Sequence, residues 1–191
     1  MWESGETAAT KKSHPAAYWE RRYRCLTALV SDGLRFHVET IAPDVCDNSS
    51  TYPLLGAAYE KVLAALLRDT PLTSCQVVLD DYGITGTMLA RTLDELAEEG
   101  VDKVVEPKAD DHYLAARAAS VIARRERVHL LEELRHNPEY NLRGLAVPSG
   151  TARTGSTKAW LDARESSGRP WPWFVKKSIR DAGAASTTGG N

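Results

Sequence analysis

Two short stretches concentrate the residue types that hydrolytic chemistry uses: Val77–Tyr82, VVLDDY, and Glu106–His112, EPKADDH. In the first, an apolar run ends directly in Asp80 and Asp81; in the second, Asp110 and Asp111 follow a few residues after Val104-Val105. An acid directly after a strand can simply open a turn. Two acids brought together from neighbouring strands can instead hold a hard divalent cation, which takes oxygen donors. The elements that carry them decide between these.

Cys75–Leu79 reads as a short apolar strand, and Thr87–Glu99 as an amphipathic helix ended by Gly100. Lys103–Glu106, KVVE, is a second strand, and His112–Arg135 is the longest periodic segment, closed by Asn137 and Pro138. Strand–helix–strand–helix predicts an α/β fold with a parallel pair of strands. Functional groups in such sheets gather beyond the carboxyl ends of the strands. Asp80 and Asp110 both fall there, which favours an acidic cluster over a pair of turns.

Upstream, Ala16–Val30 places Trp19, Tyr23 and Leu26 at helical spacing. Arg35–Ile41, RFHVETI, alternates like a half-buried strand. Tyr52–Leu67 is a helix with Pro53 in its first turn. Downstream, Leu145–Ser156 is a Gly/Ser/Thr/Pro loop and Thr157–Glu165 a short helix. The segment 1–15 reads as loose, 16–180 as the folded domain, and 181–191 as a disordered tail too poor in apolar residues to order itself.

At 191 residues the chain can build one sizeable core. Its net charge of −2 does not mark a strong nucleic-acid binder, but the charge is uneven. From Asn141 onward eight basic residues face three acidic ones. A basic C-terminal face can meet phosphates or simply be solvated. Cys25, Cys46 and Cys75 are widely spaced and form neither a zinc motif nor a disulfide framework. The opening MWESGETAATKK lacks the apolar centre of a signal peptide, and no stretch is long enough to span a membrane. These features predict a cytoplasmic protein without a membrane partner.

In order along the chain, VVLDDYG, KADDHYLAARAASVIARRERV, VPSG, STKAWL and FVKKSI resemble the ribonuclease HII family. The most specific block is Lys108–Val128, with A-A-S-V-I-A at Ala118–Ala123. Fainter similarity begins at Ala9-Thr10-Lys11-Lys12, where the family has D-S-K-K, so the resemblance spans about residues 9–180. It implies a ribonuclease H-like mixed sheet flanked by helices. It also implies a metal-dependent endonuclease that cleaves the RNA strand of RNA–DNA hybrids, including single ribonucleotides in a DNA duplex. Four acidic residues hold Mg2+ or Mn2+ in that family. Carried over, Asp80 and Asp110 are two of them and would be both catalytic and metal-holding. Lys108 matches the lysine of K-A-D, and Ser120 and Arg124 the serine and lysine of the helix; they read either as groups facing the substrate groove or as a solvated lysine, a helix-packing serine and a surface arginine. Ser149, Thr151 and Lys158 read either as backbone-phosphate contacts from a loop and helix N-terminus or as an ordinary polar loop before a helix, with Lys176 and Lys177 facing the groove.

The family's G-(I/V)-D-E-x-G-R-G, which carries the other two acids, does not occur in these 191 residues. Ala9 replaces the aspartate of D-S-K-K, and Val147 the loop tyrosine. The expectation is an N-terminally incomplete sheet, with enzymatic activity uncertain. Three readings stay open: a start assigned too late, a partner chain that supplies the missing strands and acids, or a non-catalytic nucleic-acid-binding or structural remnant. His112, His129 and His136 read as surface or capping residues. Trp171, Trp173 and Phe174 read as groups that seal the C-terminal segment onto the core.

Overall fold

Leu89, Leu93 and Leu96 recur at positions i, i+4 and i+7, which puts them on one face of a helix. In the computed structural model that helix is central to a small β-α-β unit. The structure describes residues 15–47, 50–73, 75–81, 83, 88–140 and 155–175. In chain order these form α1 (Ala16–Ala28), α2 (Thr51–Leu67), β1 (Gln76–Asp80), α3 (Met88–Glu98), β2 (Asp102–Glu106), α4 (Ala109–His112), α5 (Leu114–His136) and α6 (Gly155–Ser166).

β1 and β2 pair in parallel, with Gln76 opposite Asp102 and Asp80 opposite Glu106. The predicted α/β class is therefore observed. Among the described residues the sheet consists of this pair. Side chains alternate across it. Val77 and Leu79 point into a core with Leu89, Leu93 and Val101, covered by Tyr59 and Leu63 of α2. Gln76, Val78 and Asp80 take the opposite face, where Gln76 Nε2 donates to Asp102 Oδ2 at 2.5 Å. Leu89 is fully buried, a burial that contributes about 1.5–3 kcal/mol. α3 ends as its sequence predicts, at Gly100 with φ 96°.

The chain divides into two compact units. The first holds the chain up to Glu39 and Leu55–His129. Besides the sheet core it contains a second cluster, in which Trp19 and Leu26 of α1 meet Val121 and Ile122 of α5. The other unit holds Thr40–Leu54 and the chain from Leu130. Its core is Leu134 and Tyr140, packed by Leu130, Trp160 and Phe174. Trp160 Nε1 donates to the Tyr140 carbonyl at 3.0 Å. Phe174 stacks on Trp160, as the expected sealing role requires, whereas Trp173 is 39% exposed.

One expectation differs from the structure. Arg35–Ile41 is not a strand. Leu34 and Val38 pack on the Trp19 cluster while Phe36 stays exposed, so the inward spacing is four residues rather than two. No described strand lies beside it to bond its backbone. The long periodic segment His112–Arg135 is a continuous helix from Leu114 to His136, preceded by Tyr113, which is extended (φ −112°, ψ 129°) and separates α5 from α4. No helix among the described residues is long and apolar enough to cross a membrane.

Candidate active site

The site begins with Asp80, the last residue of β1. Its Oδ1 accepts a hydrogen bond from the backbone N–H of Lys108 at 2.6 Å. Lys108 has φ 61° and ψ 38°, the left-handed region, and is the one non-glycine with positive φ among the described residues. That conformation costs an L-residue about 1–2 kcal/mol. A short bond to an ionised carboxylate is of the strong kind and can offset it.

The chain then turns at once into α4, a single turn anchored by Ala109, which is fully buried. Asp111 N donates to Lys108 O at 2.9 Å and Tyr113 N to Ala109 O at 2.8 Å. Asp110 is half-buried on this turn, which packs against β1. Asp80 and the Asp110-bearing turn thus share one place beyond the carboxyl ends of two parallel strands. Asp81 acts locally, its Oδ1 accepting from Gly83 N at 2.7 Å.

Three neighbours were not singled out by the sequence. Glu106 stands opposite Asp80 in register, on the same sheet face. Its Oε1 bonds His112 Nδ1 at 2.6 Å, which gives that histidine a structural partner. The phenol of Tyr59 is pushed above its ordinary value by burial and then by the charge of Asp80, so α2 brings a hydroxyl into the field of that carboxylate. Arg117, in the first turn of α5, donates from Nε to Asp110 O at 3.0 Å and from Nη2 to Asp111 O at 2.6 Å. Glu106 was legible in principle, since a parallel register places it beside Asp80. The contacts of Tyr59 and Arg117 had no local signal.

The other predicted residues are more dispersed. Lys108 presents an exposed side chain. Ser120 is half-buried on α5, one turn before Arg124. The Arg124 guanidinium lies over the Trp19 ring, 4.3 Å from its centroid. Lys158 is exposed on α6, in the other unit. Ser149, Thr151, Lys176 and Lys177 lie outside the described residues.

As donors, Asp80 and Asp110 are hard carboxylate oxygens of the kind Mg2+ and Mn2+ take. They fit such an ion in kind but supply only part of a shell. Among the described residues no group of three or more His, Cys, Asp or Glu is placed to hold a metal ion.

A parallel β-α-β unit with aspartates beyond its strand ends places the chain in the α/β class. The sequence model of the family Ribonuclease HII matches residues 54–179. Ribonuclease HII of Aeropyrum pernix is 30% identical over 170 residues, covering 81% of this chain and 72% of that protein. Among solved structures, a chain of the PCNA:RNase HII complex from Archaeoglobus fulgidus superposes with a TM-score of 0.62 at 25% identity. The match covers 89% of this chain and 76% of that one. The chain belongs to the ribonuclease HII family. The family's function, in general terms, is that of a ribonuclease H-like endonuclease, a divalent-metal-dependent nuclease acting on RNA–DNA hybrids.

Proposed function

We propose that this chain serves the cleavage of the RNA strand in RNA–DNA hybrids, or of ribonucleotides embedded in a DNA duplex, with Mg2+ or Mn2+ as the ion. One observation carries the reading: Asp80 and the Asp110 turn are tied together through the Lys108 N–H at the carboxyl end of the parallel strands. Asp80 and Asp110 are the metal-holding carboxylates this chain contributes. A bound ion would supply an activated water and charge stabilisation of the leaving 3′ oxygen. The Lys108 side chain, exposed beside this turn, is set to meet a phosphate. Ser120, Arg124, Ser149, Thr151, Lys158, Lys176 and Lys177 are the further backbone contacts in this reading, since phosphate contacts position a duplex without reading its sequence.

The test is incubation of the chain with a 5′-labelled duplex containing one ribonucleotide, with Mn2+ or with chelator. Cleavage at the ribonucleotide is expected only with the ion. Asp80→Asn and Asp110→Asn should each lower it on the order of a hundredfold or more, the scale on which losing one electrostatic stabiliser acts. Absence of cleavage by a chain that circular dichroism shows folded would reject the catalytic reading. Retained binding of the same duplex would then leave the non-catalytic nucleic-acid-binding role.

A further inference from the structure

We propose that Arg117 is a positioning residue for Asp110, acting through the backbone of α4 rather than through its carboxylate. The proposal rests on the reading of Asp110 as a metal-holding residue. A helix of four residues cannot hold its own shape, because its few bonds do not repay the fixing of its dihedrals. Its last carbonyls have no helical partners, and the extended Tyr113 prevents α5 from supplying them in series.

Arg117 closes this gap. It stands on α5, a helix of 23 residues, and its own N–H is bonded to Tyr113 O at 3.0 Å. From that support its side chain reaches back, and two donors of one planar fork take the adjacent carbonyls of Asp110 and Asp111. A guanidinium offers donors on separate nitrogens of one rigid, charged plane; a lysine ammonium is a point charge that can follow one carbonyl well but not both in a fixed plane. At its other end the turn is held by buried Ala109 and by the Lys108 N–H on Asp80. Asp110 sits between the two anchorages. Releasing the Arg117 end lets the turn rotate, which spreads the orientations its carboxylate samples.

The experiment is a Mn2+ titration read by the paramagnetic resonance of the free ion, alongside thermal unfolding. Its proteins are the wild type, Asp110→Asn, Arg117→Ala, Arg117→Lys and Val121→Ala. Val121 is 1% exposed on the same helix and faces the Trp19 cluster, so it controls for lost stability. Arg117→Ala should bind Mn2+ roughly tenfold more weakly, as loss of a group that orients a ligand does. Arg117→Lys should fall between it and the wild type. Val121→Ala should melt earlier and keep its affinity. Loss of binding in Asp110→Asn with none in Arg117→Ala would overturn the positioning role and leave the metal reading standing. No change in Asp110→Asn would sink the metal reading itself, and the proposal with it. If Arg117→Ala does not fold, an unchanged affinity in Arg117→Lys overturns the proposal. A drop in Val121→Ala as large as in Arg117→Ala would do so too.

Discussion

Lys108 carries two separable contributions, one in its backbone and one in its side chain. Its N–H holds Asp80 from a left-handed conformation that glycine adopts freely. Lys108→Gly should therefore keep the bond to Asp80. Relief of about 1–2 kcal/mol of strain offsets the roughly 0.5–1 kcal/mol of extra unfolded-chain freedom that glycine brings. Urea unfolding should find this variant within about 1 kcal/mol of the wild type. Lys108→Val keeps the N–H but puts a β-branched residue at positive φ, a genuine outlier, and should be the less stable of the two. A glycine variant less stable than the valine one would mean that the left-handed backbone at residue 108 is not what limits the stability of this turn. At this scale the sequence showed the acids but not how they are held. Asp80, Lys108 and Asp110 were readable because strand ends and motif spacing are local. The clasp of Arg117 on two carbonyls was not, because it depends on a break at Tyr113 that the helical period from His112 to Arg135 conceals.

Elements were legible where periodicity and a local stop signal agreed, as for α2, α3 and the parallel strands. They were misread where a partner was needed, as for Arg35–Ile41, since alternation makes a strand only beside another strand. Gly56 offers a test of one such packing. It is buried inside α2, and an added Cβ would meet Leu89 Cβ of α3 at 4.0 Å, an ordinary van der Waals contact. Glycine in a helix interior costs about 0.8–1.0 kcal/mol relative to alanine. Gly56→Ala should therefore stabilise the protein by roughly that amount, seen as a higher urea midpoint with unchanged slope. A lower midpoint would show that α2 needs to approach α3 more closely than the Leu89 contact indicates. Bulk matters here as well as propensity. Gly56→Leu would have to displace Leu89, which is 0% exposed, and overpacking a filled core typically costs about 1–3 kcal/mol.

The molecule as a whole carries a net charge of −2, so attraction to a polyanion has to be local. The division into two units was not legible in the sequence, where residues 16–180 read as one domain. The charge asymmetry was, and the excess lies from Asn141 onward, with Lys158, Lys176 and Lys177 among its eight basic residues. Each phosphate neutralised releases condensed counterions, which lowers affinity with salt by about 0.9 in logarithmic slope per contact on a duplex. In sequence Lys176 and Lys177 follow Phe174, which is half-buried, and Val175, which is buried. Binding of a labelled hybrid, measured in chelator so that no cleavage intervenes, should show a salt slope set by a few such contacts. The double substitution Lys176→Ala with Lys177→Ala should weaken binding about equally for unrelated hybrid sequences and reduce the magnitude of the slope by roughly 2. A weaker affinity with an unchanged slope would mean that the two lysines act through folding rather than through phosphates. An unchanged affinity would move the phosphate contacts to Lys108, Ser120 and Arg124 on the unit that carries Asp80 and Asp110.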